Sequence, residues 1–369
     1  MSDRSRVLVL LATVAAASAV AVLSLLRMLI PTFFSTLPVS LLGRLGSGVE
    51  FAVALSGALG AVVVAVVALA TRRSADRRVR VRGVRVVALL VAALLAATTP
   101  GGVIPAAGYA FMLAVLIGVT AFVTLTVLRR PWLGLVLAAV LVGLGAYAVL
   151  HLEAAVLLPK IVVSFGSVLP LASIALAHVI AAAGLVVWAI TAAATPGAFA
   201  RGVRRHRVAI TVVAAACALP YAVARASWLT PWPLLGGGAE VLAAEPAMRL
   251  TGLLLGLAML TGGVLTLGLI LPWGERFPRF LAGIGGRAVP VGLAVIPATM
   301  VSVLFTAAGI EFAIEGVGPA TGETLLLLAT FPFWLWGPLL GLSTWGYVMH
   351  RRAVDVVETP RQLEAAGVA

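Results

Sequence analysis

Long stretches of this chain carry almost nothing but apolar and small residues, and they do so on every face at once. That is neither the alternation of a half-buried strand nor the one-sided stripe of a surface helix. The clearest runs are Val7 to Leu26, Val49 to Ala70, Ala107 to Leu128, Trp132 to Leu150 and Leu171 to Thr195, then Val208 to Arg225, Leu250 to Leu271, Val291 to Ile310 and Thr324 to Val348. A helix of roughly 20 apolar residues crosses about 30 Å of hydrocarbon. In lipid only a helix or a closed barrel satisfies its own backbone, and a barrel would show short alternating segments. One further segment, about Val86 to Thr99, is shorter and stops at Pro100-Gly101-Gly102. Counted as a span, it makes ten. The pattern predicts an all-α, polytopic transmembrane helical bundle of about ten spans. No connector is long enough to fold as a soluble domain. Residues 1–350 are expected to form a single transmembrane domain, and residues 351–369 a short, disordered cytoplasmic tail.

Composition agrees and removes alternatives. The 369 residues are 62% hydrophobic and 11% charged, with a mean hydropathy of +1.15. That leaves too little polar surface to coat a water-soluble globule. Asn is absent, Gln occurs once (Gln362) and Lys once (Lys160), so the side chains that usually line binding sites are scarce. Cys217 stands alone within a span, which excludes an internal disulfide and a cysteine metal cluster.

The net charge of +13 reads first as topology. Arginines near span ends are retained on the cytoplasmic side during insertion. With ten spans and both termini cytoplasmic, 21 of the 26 Lys and Arg residues fall on the inner side, and only Arg27, Arg44, Lys160, Arg225 and Arg249 on the outer. Each inner connector obeys the rule by itself. A high isoelectric point is also the footprint of nucleic-acid binding, but here the arginines are spread over every inner connector rather than gathered on one foldable unit. The densest group, Arg72 to Arg85, lies beside two spans and suits a topogenic stop and an anchor on anionic headgroups of the lipid bilayer. The N-terminus has the look of a signal peptide, with Arg4 and Arg6 before an apolar stretch and Ala15 to Ala19. The run continues to Leu26, which favours an uncleaved first helix. The expected location is the cell (cytoplasmic) membrane.

Soluble-enzyme signatures are missing: there is no phosphate-binding Gly-Lys-Ser loop, no His-Glu-x-x-His and no Gly-x-Ser-x-Gly elbow. No cofactor or metal is expected. None of the thirteen acids lies near the middle of a span, which counts against a carrier built on a buried carboxylate relay. His178 is the clear intramembrane ionisable side chain, and it reads either as a hydrogen-bonded structural histidine or as a proton-handling group. At the outer face, His151 and Glu153 end one span, Arg225 and Trp228 another, and Glu311 and Glu315, one helical turn apart, a third. If these helices are neighbours, the groups make an outward-facing polar pocket; otherwise they are solvated helix ends. Trp228 and Trp232 also suit an aromatic belt. Pro220, Pro297, Pro332 and Pro338 predict interrupted helices, and Gly252-x-x-x-Gly256 and Gly337-x-x-x-Gly341 predict close helix approach.

Two stretches carry a resemblance: Pro220-Tyr221-Ala-Val-Ala-Arg225-Ala-Ser-Trp228, and Leu271-Pro272-Trp273-Gly274-Glu275-Arg276-Phe277-Pro278-Arg279 leading to Gly285-Gly286-Arg287 and Val289-Pro290. With the Ala, Val, Leu and Arg bias they resemble uncharacterised polytopic integral membrane proteins of high-GC Gram-positive (actinobacterial) bacteria. The resemblance implies a location and an architecture and transfers no catalytic residue. Three readings stay open: a permease-like, solute-handling protein binding a small molecule at Arg225, Trp228, His151, Glu153, His178, Glu311 and Glu315; a membrane-embedded enzyme acting on a lipid-linked substrate; and a structural or assembly factor.

Overall fold

A computed structural model describes residues 1, 3–30, 39–71, 77–101, 103–192, 197–235, 238–279, 285–315 and 322–365. In it the apolar runs become helices: α1 (Asp3–Leu29), α2 (Ser47–Ala70), α3 (Arg77–Ala97), α4 (Val103–Arg129), α5 (Pro131–His151) and α6 (Ala154–Ala192). The second half contains α7 (Ala198–Arg205), α8 (Arg207–Ala216), α9 (Leu219–Ala226), α10 (Ala239–Ala244), α11 (Pro246–Leu267), α12 (Val291–Glu315), α13 (Gly322–Thr330) and α14 (Phe333–Ala365). Among the described residues no strand forms. The protein is an all-α membrane bundle.

Nine crossings among the described residues are long and apolar enough to span a bilayer. Two of them are composite. α8 and α9 share one crossing, with a break at Cys217 and Ala218 and Pro220 in the first turn of α9, where its missing N–H costs nothing. α13 and α14 share another, broken at Phe331-Pro332. Pro297 differs from expectation in leaving α12 continuous. Its hydroxyl neighbours serve the backbone: Thr299 donates to the Val295 carbonyl and Thr306 to that of Ser302, both at 2.7 Å, while Ser302 reaches across to Gly337 on α14 at 2.7 Å.

α3 supplies the tenth segment. Arginines fill its first turns, so its apolar part begins only at Val86, yet the helix runs between the two ends of the bundle. Just before that apolar part, Arg85 Nε donates to the Ala189 carbonyl at the end of α6 (2.7 Å). At its other end the Ala97 carbonyl accepts from Leu42, in the connector between α1 and α2 (3.4 Å). These two contacts identify an arginine end and an opposite end.

α6 is the structural axis. Its 39 residues rise roughly 58 Å at 1.5 Å each, well beyond one hydrocarbon thickness. The segment before Leu171, expected as a connector, is helical from Ala154 even though Pro159 and Gly166 lie within it; an apolar run in lipid satisfies its own backbone as a helix. One core contains Leu10, Ala17 and Val20 of α1, Ala58, Ala61 and Ala65 of α2, Ala88 and Leu95 of α3, and Ala181, Leu185 and Trp188 of α6. A second joins Val187 and Ile190 of α6 to Ala214, Val295, Ala308, Phe333, Trp336, Leu340 and Tyr347. α6 thus belongs to both. α4 and α5 form an outlying hairpin with mostly exposed apolar surfaces.

The connector after α11 is folded onto α14. Residues 275–279 and 285–289 form the two arms of a short antiparallel hairpin: Phe277 N–H donates to the Arg287 carbonyl (2.9 Å), Gly286 to that of Phe277 (2.8 Å) and Val289 to that of Glu275 (2.8 Å). Tyr347 Oη donates to the Gly274 carbonyl (2.8 Å), and buried Arg351 donates to Tyr347 Oη (2.7 Å) and to the Val289 carbonyl (3.1 Å). His350 Nε2 lies 3.1 Å from Glu275 Oε1. The segment expected as an interfacial anchor is therefore also fastened by side-chain hydrogen bonds. α14 is helical to Ala365.

Candidate functional site

At the end opposite the arginines, four segments enclose a cavity of about 420 Å³. α1 contributes Leu23, Ser24, Arg27 and Met28, α2 contributes Ser47, Gly48, Glu50, Phe51 and Ala54, and α6 contributes Ile174 and His178. Thr98 and Pro100, just after α3, complete the wall. The volume is within the range of small-molecule sites, and the lining is the usual mixture of an apolar wall with a few placed polar groups.

The polar groups are ordered by one buried carboxylate. Glu50 is 4% exposed, and its Oε1 accepts from Arg27 Nη1 at 2.9 Å and from Ser40 Oγ at 2.7 Å. Ser40 Oγ in turn accepts from the Gly43 N–H at 3.0 Å. Gly43 is required here by space: a Cβ would lie 2.9 Å from Glu50 Oε2 and 2.7 Å from Val39 Cγ1. Arg27 remains about one-third exposed, at 34%. A buried carboxylate persists only when paired and hydrogen-bonded, and this arrangement provides both.

His178 is buried, with Nδ1 2.9 Å from the Ile174 carbonyl one turn earlier. A carbonyl can only accept, so Nδ1 carries the proton and the neutral ring presents Nε2 as its acceptor. Among the described residues Nε2 has no hydrogen-bond partner, and the ring forms part of the cavity wall within electrostatic reach of Glu50 and Arg27. The site therefore offers a guanidinium donor and an imidazole acceptor side by side.

The other sequence candidates lie elsewhere. Arg225 is stacked between two rings of its own helix end, 4.8 Å from the Tyr221 centroid and 4.1 Å from that of Trp228. Trp228 is buried, and its Nε1 donates to the Leu234 carbonyl at 2.8 Å. Both residues dock on the Gly252-x-x-x-Gly256 notch of α11. A Cβ on Gly256 would lie 2.7 Å from Arg225 Cβ, and one on Gly252 would lie 2.8 Å from Trp228 Cε3. Trp232, by contrast, is 80% exposed, as a belt residue would be. His151 ends α5 with its ring 4.9 Å from Tyr147 and is exposed, as is Glu153, which has a positive φ of 52° in the turn into α6.

Glu311 pairs with Arg44 at 3.9 Å. Arg44 belongs to the Gly43–Leu45 turn that covers Glu50, so Glu311 sits beside the cavity's cover rather than in its wall. Glu315 ends α12, and its side chain lies outside the described residues. The structure thus takes one of the seven candidates, His178, into the cavity and leaves His151, Glu153, Arg225, Trp228 and Glu311 out of its lining.

Arg27, Ser40 and Glu50 escaped the sequence reading. Ser40 stands in a connector and Arg27 and Glu50 at span boundaries, although a signal was present: Arg27 ends one span and Glu50 begins the next, so they lie at the same end of consecutive helices. Comparison with known protein families, with curated proteins and with solved structures finds no match for this chain.

Proposed function

We propose that this multi-pass membrane protein is permease-like and solute-handling, and that it binds a small polar molecule in the cavity at Arg27, Glu50 and His178. The single observation behind this reading is the pairing of a buried, charge-compensated Glu50–Arg27 unit with His178 Nε2, which has no hydrogen-bond partner among the described residues, in the wall of one open cavity. Groups that served only packing would find their partners within the protein. The chemistry suits a solute carrying an anionic group for Arg27 and a hydroxyl or amine donor for His178. The arginine asymmetry supports a cell-membrane setting with the cavity on the outer side. The apolar wall of Leu23, Met28 and Phe51 favours, as a second reading, a lipid-linked substrate whose tail follows that wall.

Site-directed labelling tests the proposal. In a Cys217→Ala background, Ser47→Cys places one thiol in the cavity wall. The expected result is modification by a membrane-impermeant maleimide in intact cells. Labelling only after permeabilisation would reverse the orientation, and no labelling in either state would remove the open cavity. A panel of hydroxy acids, amino acids and short-chain phospholipids, screened by thermal stabilisation, then assigns the solute class. The response is expected to vanish in His178→Gln.

A further inference from the structure

The hydroxyl groups in the cavity wall have their protons committed to the backbone. Ser24 Oγ donates to the Val20 carbonyl at 2.8 Å, and the Thr98 Oγ1 proton is shared between the Leu94 and Leu95 carbonyls at 3.2 and 3.1 Å. A hydroxyl that donates to the backbone offers a ligand only its lone pairs. His178 Nε2 is likewise an acceptor, because Nδ1 holds the proton that faces the Ile174 carbonyl. Glu50 accepts from Arg27 and Ser40 through Oε1, and its Oε2 accepts no hydrogen bond among the described residues. Arg27 supplies the donors: Nη1 serves Glu50, and its other N–H groups have no partner among the described residues. Ser47, exposed at the rim, can take either role. A ligand that satisfies this wall therefore brings an acceptor to Arg27 and donors to the rest.

Charge narrows the class. The charged groups that act on His178 are Glu50 and Arg27, of opposite sign, and the pair beside the cover, Arg44 with Glu311, is also of opposite sign. The wall has no other ionisable side chain among the described residues, so the site is neutral as it stands. A solute with a net charge would leave that charge uncompensated against Leu23, Phe51, Ala54 and Ile174, and an uncompensated charge in such surroundings is costly. A solute with one charge of each sign avoids the cost.

We propose that the cavity binds a zwitterionic amino acid with an apolar side chain, its carboxylate on Arg27, its ammonium on His178 Nε2 and Glu50, and its side chain on the apolar wall. The proposal rests on the reading of the cavity as a solute site and names the solute. Charges of opposite sign then alternate from the ligand carboxylate through Arg27 and Glu50 to the ligand ammonium, and each contact is a charge-assisted hydrogen bond. An ammonium brings three donors to a wall of acceptors. A hydroxy acid brings one and adds a net charge.

Equilibrium binding to the full-length protein in lipid nanodiscs tests this with L-leucine and three analogues. These are 2-hydroxy-4-methylpentanoate, an anion of the same shape; 3-methylbutylamine, a cation without the carboxylate; and glycine, without the side chain. Leucine is expected to bind roughly tenfold or more tightly than either charged analogue, and about tenfold more tightly than glycine. Glu50→Gln gives the site a net positive charge and is expected to move the leucine-to-hydroxy-acid ratio about tenfold toward the hydroxy acid. Both ligands are measured on the same protein, so a loss of stability cancels. Equal or tighter binding of the anion or the cation to wild type would overturn the assignment, as would glycine matching leucine or a ratio unmoved in Glu50→Gln. If no ligand binds, Ser47→Cys labelling separates the two failures: a labelled cavity overturns the amino-acid assignment alone, an unlabelled one the solute site itself.

Discussion

Removing the charge of Glu50 while keeping its shape isolates what the ion pair contributes. At a charge separation near 4 Å, two unit charges attract by about 4 kcal/mol at an effective dielectric of about 20, and dehydration of both groups offsets part of that. Breaking a fully buried pair costs roughly 3–5 kcal/mol because the remaining charge is stranded. Here Arg27 is 34% exposed and can recover some hydration. The expected loss for Glu50→Gln is therefore about 2–3 kcal/mol, or a fall in unfolding temperature of roughly 3–4 °C. Arg27→Met strands a carboxylate that is only 5% exposed, so its loss is larger. The double variant Arg27→Met/Glu50→Gln strands neither charge, and Ser40 can still donate to the new amide oxygen. It is expected within about 1 kcal/mol of wild type, a coupling of at least 2 kcal/mol. Thermal unfolding of the purified protein in lipid nanodiscs, all four forms at one scan rate, measures the cycle. Additive single effects, with coupling below about 0.5 kcal/mol, would refute the claim that these groups form one electrostatic unit.

Three further outcomes follow from the packing. Gly252→Ala pushes a methyl group into Trp228, and overpacking of that kind costs about 1–3 kcal/mol; a lowered unfolding temperature checks it, and unchanged stability would mean that the indole has room to move. Arg225→Ala removes stacking on two rings, worth about 2 kcal/mol in total, and should reduce membrane abundance while preserving Ser47→Cys labelling. Tyr347→Phe deprives Gly274 of a donor and Arg351 of an acceptor, a loss of roughly 1–3 kcal/mol. In inside-out vesicles it should accelerate tryptic cleavage at Arg276, Arg279 and Arg287, and an unchanged cleavage rate would detach that hairpin from α14.

The bundle was legible because burial in lipid imposes a length on each apolar run, and α2, α5 and α11 begin and end close to where hydropathy places them. α3 was legible through its arginines and Pro100-Gly101-Gly102, although it falls short on apolar length alone. α6 was not fully legible, since nothing in residues 154–170 distinguishes an apolar connector from helix. The candidate site divides the same way. His178 stood out because an ionisable group inside a span is costly. Arg225 and Trp228 stood out equally, but their residue types do not reveal that two glycines on α11 receive them. Arg27 and Glu50 stayed hidden because a charge at a span boundary is ordinary until packing turns it inward, and only the lateral pairing of α1 with α2 does so.

The dependence of α3 on α6 has a bearing on biogenesis. Arg85 is made 104 residues before its acceptor at Ala189, and α4 and α5 are synthesised in between. The first three helices must therefore enter the bilayer as an unfinished trio, with a guanidinium waiting for a carbonyl that the ribosome has yet to deliver. Their final seating can occur only once the long sixth helix has threaded in beside them.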